Sequence, residues 1–194
     1  AWFGPRPSFG TAGLRAPLGP GPSRMNRVTV RTVAAALAGA LAEHVPGDAP
    51  VVIGFDGRRG SRTFAEDAAR VLTGAGVRVL RFGPVCPTPV LAFAVRDLGA
   101  RAGVMITASH NPPGDNGIKV YGPDGAQIVD PLDAAIAARM AAVGPVAALP
   151  LGPDGAPAPA GVVDRYVAAV LGLRVHRPAR TVRAVYTPLH LSLI

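Results

Sequence analysis

A chain of 194 residues with 49% hydrophobic side chains can bury one full core and the beginning of another. Its net charge of +8 comes from arginines scattered singly or in pairs, and aromatics are only 5%, which argues against a nucleic-acid surface with a basic stripe and stacking rings. One cysteine leaves no intrachain disulfide or cysteine zinc cluster, no apolar run reaches the roughly 18 residues of a membrane span, and residues 1–7 lack a signal-peptide core; a cytoplasmic protein without membrane or nucleic-acid partners is expected.

In chain order, residues 1–8 are Pro-rich and expected to be disordered. In Phe9-Gly10-Thr11-Ala12-Gly13-Leu14-Arg15, two glycines and a threonine let backbone approach a ligand, and Arg15 can clamp an oxyanion. Residues 16–23 read as a Gly/Pro loop. The spacing of Val30, Val33, Ala34, Leu37 and Leu41 predicts a helix over 29–42, ended by Pro46-Gly47-Asp48. Residues 51–55 read as a buried strand and lead into Asp56-Gly57-Arg58-Arg59-Gly60-Ser61, with Ser61 as the expected N-cap of a helix over 62–75. Gly54, Gly57 and Gly60 do not have the spacing of a dinucleotide fingerprint, and no Walker A sequence occurs.

A strand is expected over 77–82, then a helix over 89–98 with Thr88 as cap and Pro89 at its first position. A strand over 102–106, the polar loop 107–117 and a strand over 118–121 follow. After the turn Pro123-Asp124-Gly125, Asp130 is the expected cap of a helix over 131–142. Residues 144–161 read as a linker, 162–171 as a short helix and 181–186 as a strand. The alternation predicts an α/β fold: a mixed, largely parallel sheet with helices on both faces over 9–143, then the truncated start of a second α/β domain over 162–194. Ligands collect at the C-terminal ends of such strands, where 56–61 and 107–117 would meet. With its partner surface missing, the chain is expected to aggregate or lose order beyond about residue 144.

The loop 107–117 is the densest set of reactive groups. A serine nucleophile in acyl transfer needs a base and an orienting acid; His110 is adjacent in sequence and would have to fold back, and no Gly-x-Ser-x-Gly elbow is present. A phosphorylated serine needs mainly positioning and positive charge around its oxygens, which Arg15, Lys119, His110 and Asn111 can give Ser109. Lys119 is the single lysine among 20 Lys and Arg residues. Arginine does not lose its proton in a protein, whereas lysine does when buried or placed near other cations, so Lys119 is a general acid/base candidate.

These residues carry a resemblance. Phe9 to Arg15, Arg24-Met25-Asn26, Gly54-Phe55-Asp56-Gly57-Arg58 with Ser61 and Phe64, Cys86-Pro87-Thr88-Pro89, Thr107-Ala108-Ser109-His110-Asn111-Pro112 and Asn116-Gly117-Ile118-Lys119-Val120-Tyr121 resemble the α-D-phosphohexomutase family, in its phosphomannomutase and phosphoglucomutase type-2 branch. The resemblance covers roughly 9–190 in family order and implies that family's domain I. It also implies a resting phosphoserine that passes its phosphoryl group to a hexose monophosphate and regains one from the hexose 1,6-bisphosphate intermediate, which also acts as activator. Ser109 is then the phosphocarrier and, through its phosphate, one ligand of magnesium. Lys119 is the implied general acid/base with Arg15 beside it, and His110 and Asn111 orient the phosphoserine. Arg15, Asn111, Lys119 and Arg58 are the implied phosphate and substrate contacts, Arg58 also supporting the loop.

The departures shape the expectation. The family has four domains, with an alternating-aspartate metal loop in the second, a sugar-reading loop in the third and a phosphate-binding loop in the fourth. None of these occurs here; Asp56, Asp115 and Asp124 stand isolated. Ala16 replaces a usual glycine, and Leu191-Ser192-Leu193-Ile194 replaces a glycine-rich turn. The expected molecule is a truncated N-terminal part of a mutase, inactive alone, with the missing C-terminal domains as partner. The alternatives are a non-catalytic fragment or one half of a split enzyme; phosphopentomutase or phosphoglucosamine mutase specificity stays open.

Overall fold

Runs of β-branched residues supply the centre of the sheet. In the computed structural model, which describes residues 3–175 and 183–187, Val51–Phe55 (β2) lies between Val79–Arg81 (β3) and Ala102–Ile106 (β4) and is parallel to both. Asp115–Tyr121 (β5) is antiparallel to β4, and Leu14–Pro17 (β1) is antiparallel to β5. Ala156–Pro157 (β6) extends the other edge, parallel to β3, so the order is β1-β5-β4-β2-β3-β6. The mixed, largely parallel sheet of the sequence reading is present.

Both faces are covered, as continuous apolar strands require. Val51, Ile53, Phe55, Val104, Ile106, Ile118 and Val120 enter a core with the helices Arg27–His44 (α1), Ser61–Gly74 (α2) and Leu132–Ala142 (α4). Val52, Met105 and Tyr121 enter a second core with Thr88–Asp97 (α3) and Val162–Gly172 (α5). Each fully buried Val, Ile, Leu or Phe contributes about 1.5–3 kcal/mol. Helices α1 and α2 are also tied by charge: Arg27 and Arg31 both donate to the buried Asp67 carboxylate, each at 2.6 Å.

Several local expectations change. Residues 14–17 form a strand inside the stretch read as turn and loop; only four residues long, it shows too little alternation to be seen beside its glycines and prolines. Helix α1 starts at Arg27 because Asn26 caps it, its Oδ1 accepting from Thr29 N at 3.0 Å while its Nδ2 donates to the carbonyls of Gly19 and Gly21. Ser61 is not the cap of α2 but its first residue; Gly60, at φ 81°, holds the cap position and makes no side-chain bond. Thr88 likewise lies within α3, after Pro87, and Asp130 does not cap α4, whose preceding residue is Pro131.

The stretch 144–161 is more than a linker. It contains a short 3-10 turn and β6, and Gly152 N donates to Arg70 O at 2.8 Å, while Thr73 Oγ1 donates to Pro153 O at 2.6 Å. Order therefore continues past residue 144. The predicted helix over 162–171 is α5 and packs on α3, with Val162 buried and the Phe93 and Tyr166 rings edge to face at 5.7 Å. Of the strand expected over 181–186, residues 183–186 lie in no strand; 181, 182 and 188–194 lie outside the described residues.

Candidate functional site

Strands β2 and β4 end side by side, with Asp56 N donating to Ile106 O at 3.1 Å. The two connections that leave them, 56–60 and 107–114, therefore meet at the C-terminal end of these central strands, and β5 begins at Asp115, three residues before the expected strand over 118–121. Thr107 N bonds Gly117 O at 3.0 Å and closes the base of the longer loop. Ser109 sits at φ 57°, the only non-glycine residue with positive φ among the described residues. Its N–H donates to Thr107 Oγ1 at 2.9 Å. Such a backbone costs about 1–3 kcal/mol and persists only where neighbours hold it. Ser109 Oγ and His110 Nδ1 are 3.5 Å apart, the outer limit of a hydrogen bond.

The neighbour that holds the loop is Arg58. Its side chain is wholly buried, and it lies across the inside of the loop. Nη1 donates to Pro112 O at 2.8 Å and Asp115 O at 3.1 Å; Nη2 donates to Ser109 O at 2.5 Å and Asn111 O at 2.8 Å. Nε lies 3.2 Å from Asp56 Oδ2, an ion pair without hydrogen-bond alignment. Asp56 Oδ1 accepts from Ser61 Oγ at 2.7 Å and from Arg58 N at 3.0 Å. Asn116 extends the network: its Nδ2 donates to Ser61 Oγ at 2.9 Å and Arg59 O at 3.0 Å, and its Oδ1 accepts from Gly117 N at 2.8 Å. Its terminal N–H groups are all engaged by backbone carbonyls, which leaves none of them turned toward a phosphate. Its expected support of the loop is what the geometry shows.

Alternation along β5 turns Gly117, Lys119 and Tyr121 to the face opposite Ile118 and Val120. Register places Arg15 beside Gly117. A Cβ on Gly117 would stand 2.4 Å from Leu14 O and 3.0 Å from Arg15 Cγ, so glycine is what lets the Arg15 side chain cross. Arg15 Nη1 reaches Asn111 Oδ1 at 3.4 Å, and its buried Nε has no partner. Asn111 is held from its other side, its Nδ2 donating to Asp115 Oδ2 at 2.9 Å. Burial pushes the Lys119 ammonium below its ordinary pKa, and the Arg15 charge lowers it further. Two cations thus share one sheet face, and one of them reaches into the serine loop.

Thr11 lies elsewhere. It belongs to the opposite end of β1 from the serine loop, its Oγ1 donating to Asp133 Oδ2 at 2.8 Å and its carbonyl accepting from Gln127 Nε2. Of the stretch 9–15, Arg15 alone has a side chain recorded in contact with the serine loop. Asp56, Ser61 and Asn116 were not singled out from sequence as one unit. Each stands just beyond or between the apolar strands among other polar and glycine residues, with an ordinary local explanation as strand end, cap or turn. Among the described residues no three His, Cys, Asp or Glu side chains converge, so the magnesium implied by the resemblance has no complete donor set here. No described helix is long and apolar enough to cross a membrane.

Residues 6–145 match the family described as phosphoglucomutase/phosphomannomutase, alpha/beta/alpha domain I. The chain is 49% identical over 122 residues to a phosphoglucomutase of Staphylococcus saprophyticus, covering 63% of this chain and 22% of that protein. It is 44% identical over 142 residues to a phosphopentomutase of Homo sapiens, covering 69% and 23% respectively. A solved structure from Thermus thermophilus, assigned as a phosphomannomutase, matches with TM-score 0.74 at 32% identity over 87% of this chain and 36% of that one. The chain spans between 22% and 36% of the length of these relatives.

Proposed function

The chain belongs to the phosphoglucomutase/phosphomannomutase family, and from that premise we propose that it holds the phosphoryl-carrying site of a phosphosugar mutase acting on hexose phosphates. Ser109 Oγ carries the phosphoryl group. A hydroxyl oxygen of the sugar monophosphate attacks the phosphorus, the bond from phosphorus to Ser109 Oγ breaks, and the hydroxyl proton passes to a base. The bisphosphate so formed turns over and returns its other phosphoryl group to Ser109 Oγ.

The observation that carries this reading is the placement of Ser109. It stands at φ 57° at the head of a loop whose carbonyls of 109, 111, 112 and 115 are drawn inward by Arg58. Negative carbonyl ends are thereby kept away from a charged phosphoryl group, while Arg15 and Lys119 supply positive charge on the adjoining face. Lys119 suits the proton-transfer role because burial and Arg15 favour its neutral form. His110, exposed and at the limit of hydrogen-bond distance from Ser109 Oγ, suits a role in orienting the phosphoryl group better than that of a triad base. The described residues do not form a complete magnesium site.

Intact mass is the direct test. After incubation with glucose 1,6-bisphosphate, magnesium and the separately produced C-terminal domains of a related mutase, the chain is expected to gain one phosphoryl group, mapped to Ser109 by peptide analysis and absent in Ser109→Ala. No uptake, or equal uptake by Ser109→Ala, overturns the reading.

A further inference from the structure

We infer that Arg58, neutralised by Asp56, is a positioning residue for phosphoryl transfer: it sets the backbone of the carrier loop and does not bind the substrate's phosphate. The inference rests on the reading of Ser109 as phosphocarrier. It goes beyond that reading by assigning the loop's geometry to one buried ion pair on a different strand end.

The loop has little else to define it. Pro112 and Pro113 stiffen its tip, but residues from His110 to Gly114 are mostly exposed, and Ser109 occupies a backbone region that non-glycine residues rarely adopt. Hydrogen bonds within the loop are few: Ser109 N to Thr107 Oγ1, Asn111 N to Ala108 O, Asp115 N to Pro112 O and Asn111 Nδ2 to Asp115 Oδ2. The guanidinium of Arg58, by contrast, gathers carbonyls from residues 109, 111, 112 and 115. Lysine offers a compact ammonium on a flexible stem and cannot span four acceptors with a fixed fork. Arg58 is fully buried, so its charge needs a partner, and Asp56 Oδ2 at 3.2 Å is the one carboxylate in ion-pair reach among the described residues. Ser61 and Asn116 then fix Asp56 and the start of β5, joining both loops into one unit.

The pair's consequence for transfer is geometric. Moving the Ser109 backbone out of positive φ would swing Oγ and any phosphoryl group on it relative to Arg15 and Lys119. Misplacement by about 1 Å can cost a hundredfold in rate without changing ground-state binding. A residue that bound the substrate's phosphate would instead raise the substrate concentration needed for half-maximal rate.

The test uses the full 194-residue chain as wild type, Arg58→Lys and Asp56→Asn. Amide hydrogen exchange is read across 103–121, and phosphoryl uptake by Ser109, with magnesium and the C-terminal domains of a related mutase supplied, is timed at several glucose 1,6-bisphosphate concentrations. In Arg58→Lys the amides of 109–116 are expected to exchange about ten- to a hundredfold faster, on the scale of one or two lost charge-assisted hydrogen bonds. Amides of β4 and of residues 118–121 should keep wild-type protection. The maximal rate of uptake should fall by a similar factor, with the half-saturating bisphosphate concentration unchanged. Asp56→Asn should show the same pattern at least as strongly, because it leaves the buried Arg58 charge without its partner. Wild-type exchange in the loop of Arg58→Lys, or a change confined to half-saturation, overturns the inference. Loss of protection throughout both variants also overturns it, by assigning the pair to global stability. If wild-type Ser109 takes up no phosphoryl group, the carrier reading fails and with it the transfer role; the exchange arm then reports separately on the loop geometry.

Discussion

At the residue scale, Lys119 illustrates how a functional side chain is kept at some expense to stability. Burial first, and Arg15 second, hold its folded-state pKa below the 10.5 of the free side chain. Between those two values the unfolded chain binds the extra proton, so stability rises with pH through that window; below it the buried charge is a constant cost. Lys119→Met is therefore expected to melt at or above wild type at neutral pH. The difference should shrink as pH rises toward 10.5. Thermal melts of the two proteins over that range check this, and a variant less stable than wild type at neutral pH contradicts it. Cys86 is a contrasting buried group. Burial pushes its thiol up to about 12, and it packs beside Gly54 on the α3 side, so nothing activates it as a nucleophile.

At the element scale, the contact between α1 and α2 has its own ionic lock. Burial alone would raise the Asp67 carboxyl, but hydrogen bonds from Arg27 and Arg31 outweigh it and hold the group below its ordinary value. The stabilisation is thus present above the unfolded value of 3.8 and is lost as pH falls through the folded one. Asp67→Asn leaves two arginines facing a neutral amide and is expected to destabilise by about 1 kcal/mol at neutral pH, because Arg27 is largely exposed and Arg31 partly so, and both can return to water. Urea unfolding at neutral pH and in acid measures this; an unchanged midpoint at neutral pH contradicts it. The lock is scarcely visible in sequence, because Asp67 and its partners stand 36 and 40 residues apart. The helices themselves were legible, since Val30, Val33, Ala34, Leu37 and Leu41 repeat at helical spacing over enough turns.

At the scale of the whole molecule, the stretch 144–161 does more than connect. Residues rich in Pro, Ala and Gly look like a connector, yet β6 pairs with β3 and the Arg81 guanidinium reaches Asp154 Oδ2 at 2.6 Å. Helix α5 then covers α3, with Arg165 Nη2 2.6 Å from Asp97 Oδ2 and Val162 buried. Backbone protected in this way resists proteases. Brief trypsin treatment is expected to spare the Arg165 bond and to cut after Arg174, which lies past the end of α5. Equal cleavage at both sites would show that α5 is not docked.

Sequence alone determined the α/β class, most of the elements and the residues of the serine loop. It could do so because these are properties of local pattern: helical and strand periods, flanking glycines and prolines, and a run of polar types between two apolar strands. It also singled out Lys119 and Arg15, by rarity and by position. What only the tertiary structure decided is which polar groups share a site and which are consumed in holding it. Arg58 reads as a phosphate contact until its N–H groups are found on carbonyls from 109, 111, 112 and 115. Ser61 reads as a helix cap until its hydroxyl is found on Asp56. Thr11 reads as part of a ligand-approaching turn until its hydroxyl is found on Asp133. Hydrogen-bond partners more than 50 residues apart leave no periodic trace in a chain, and strand register is settled by pairing between distant segments.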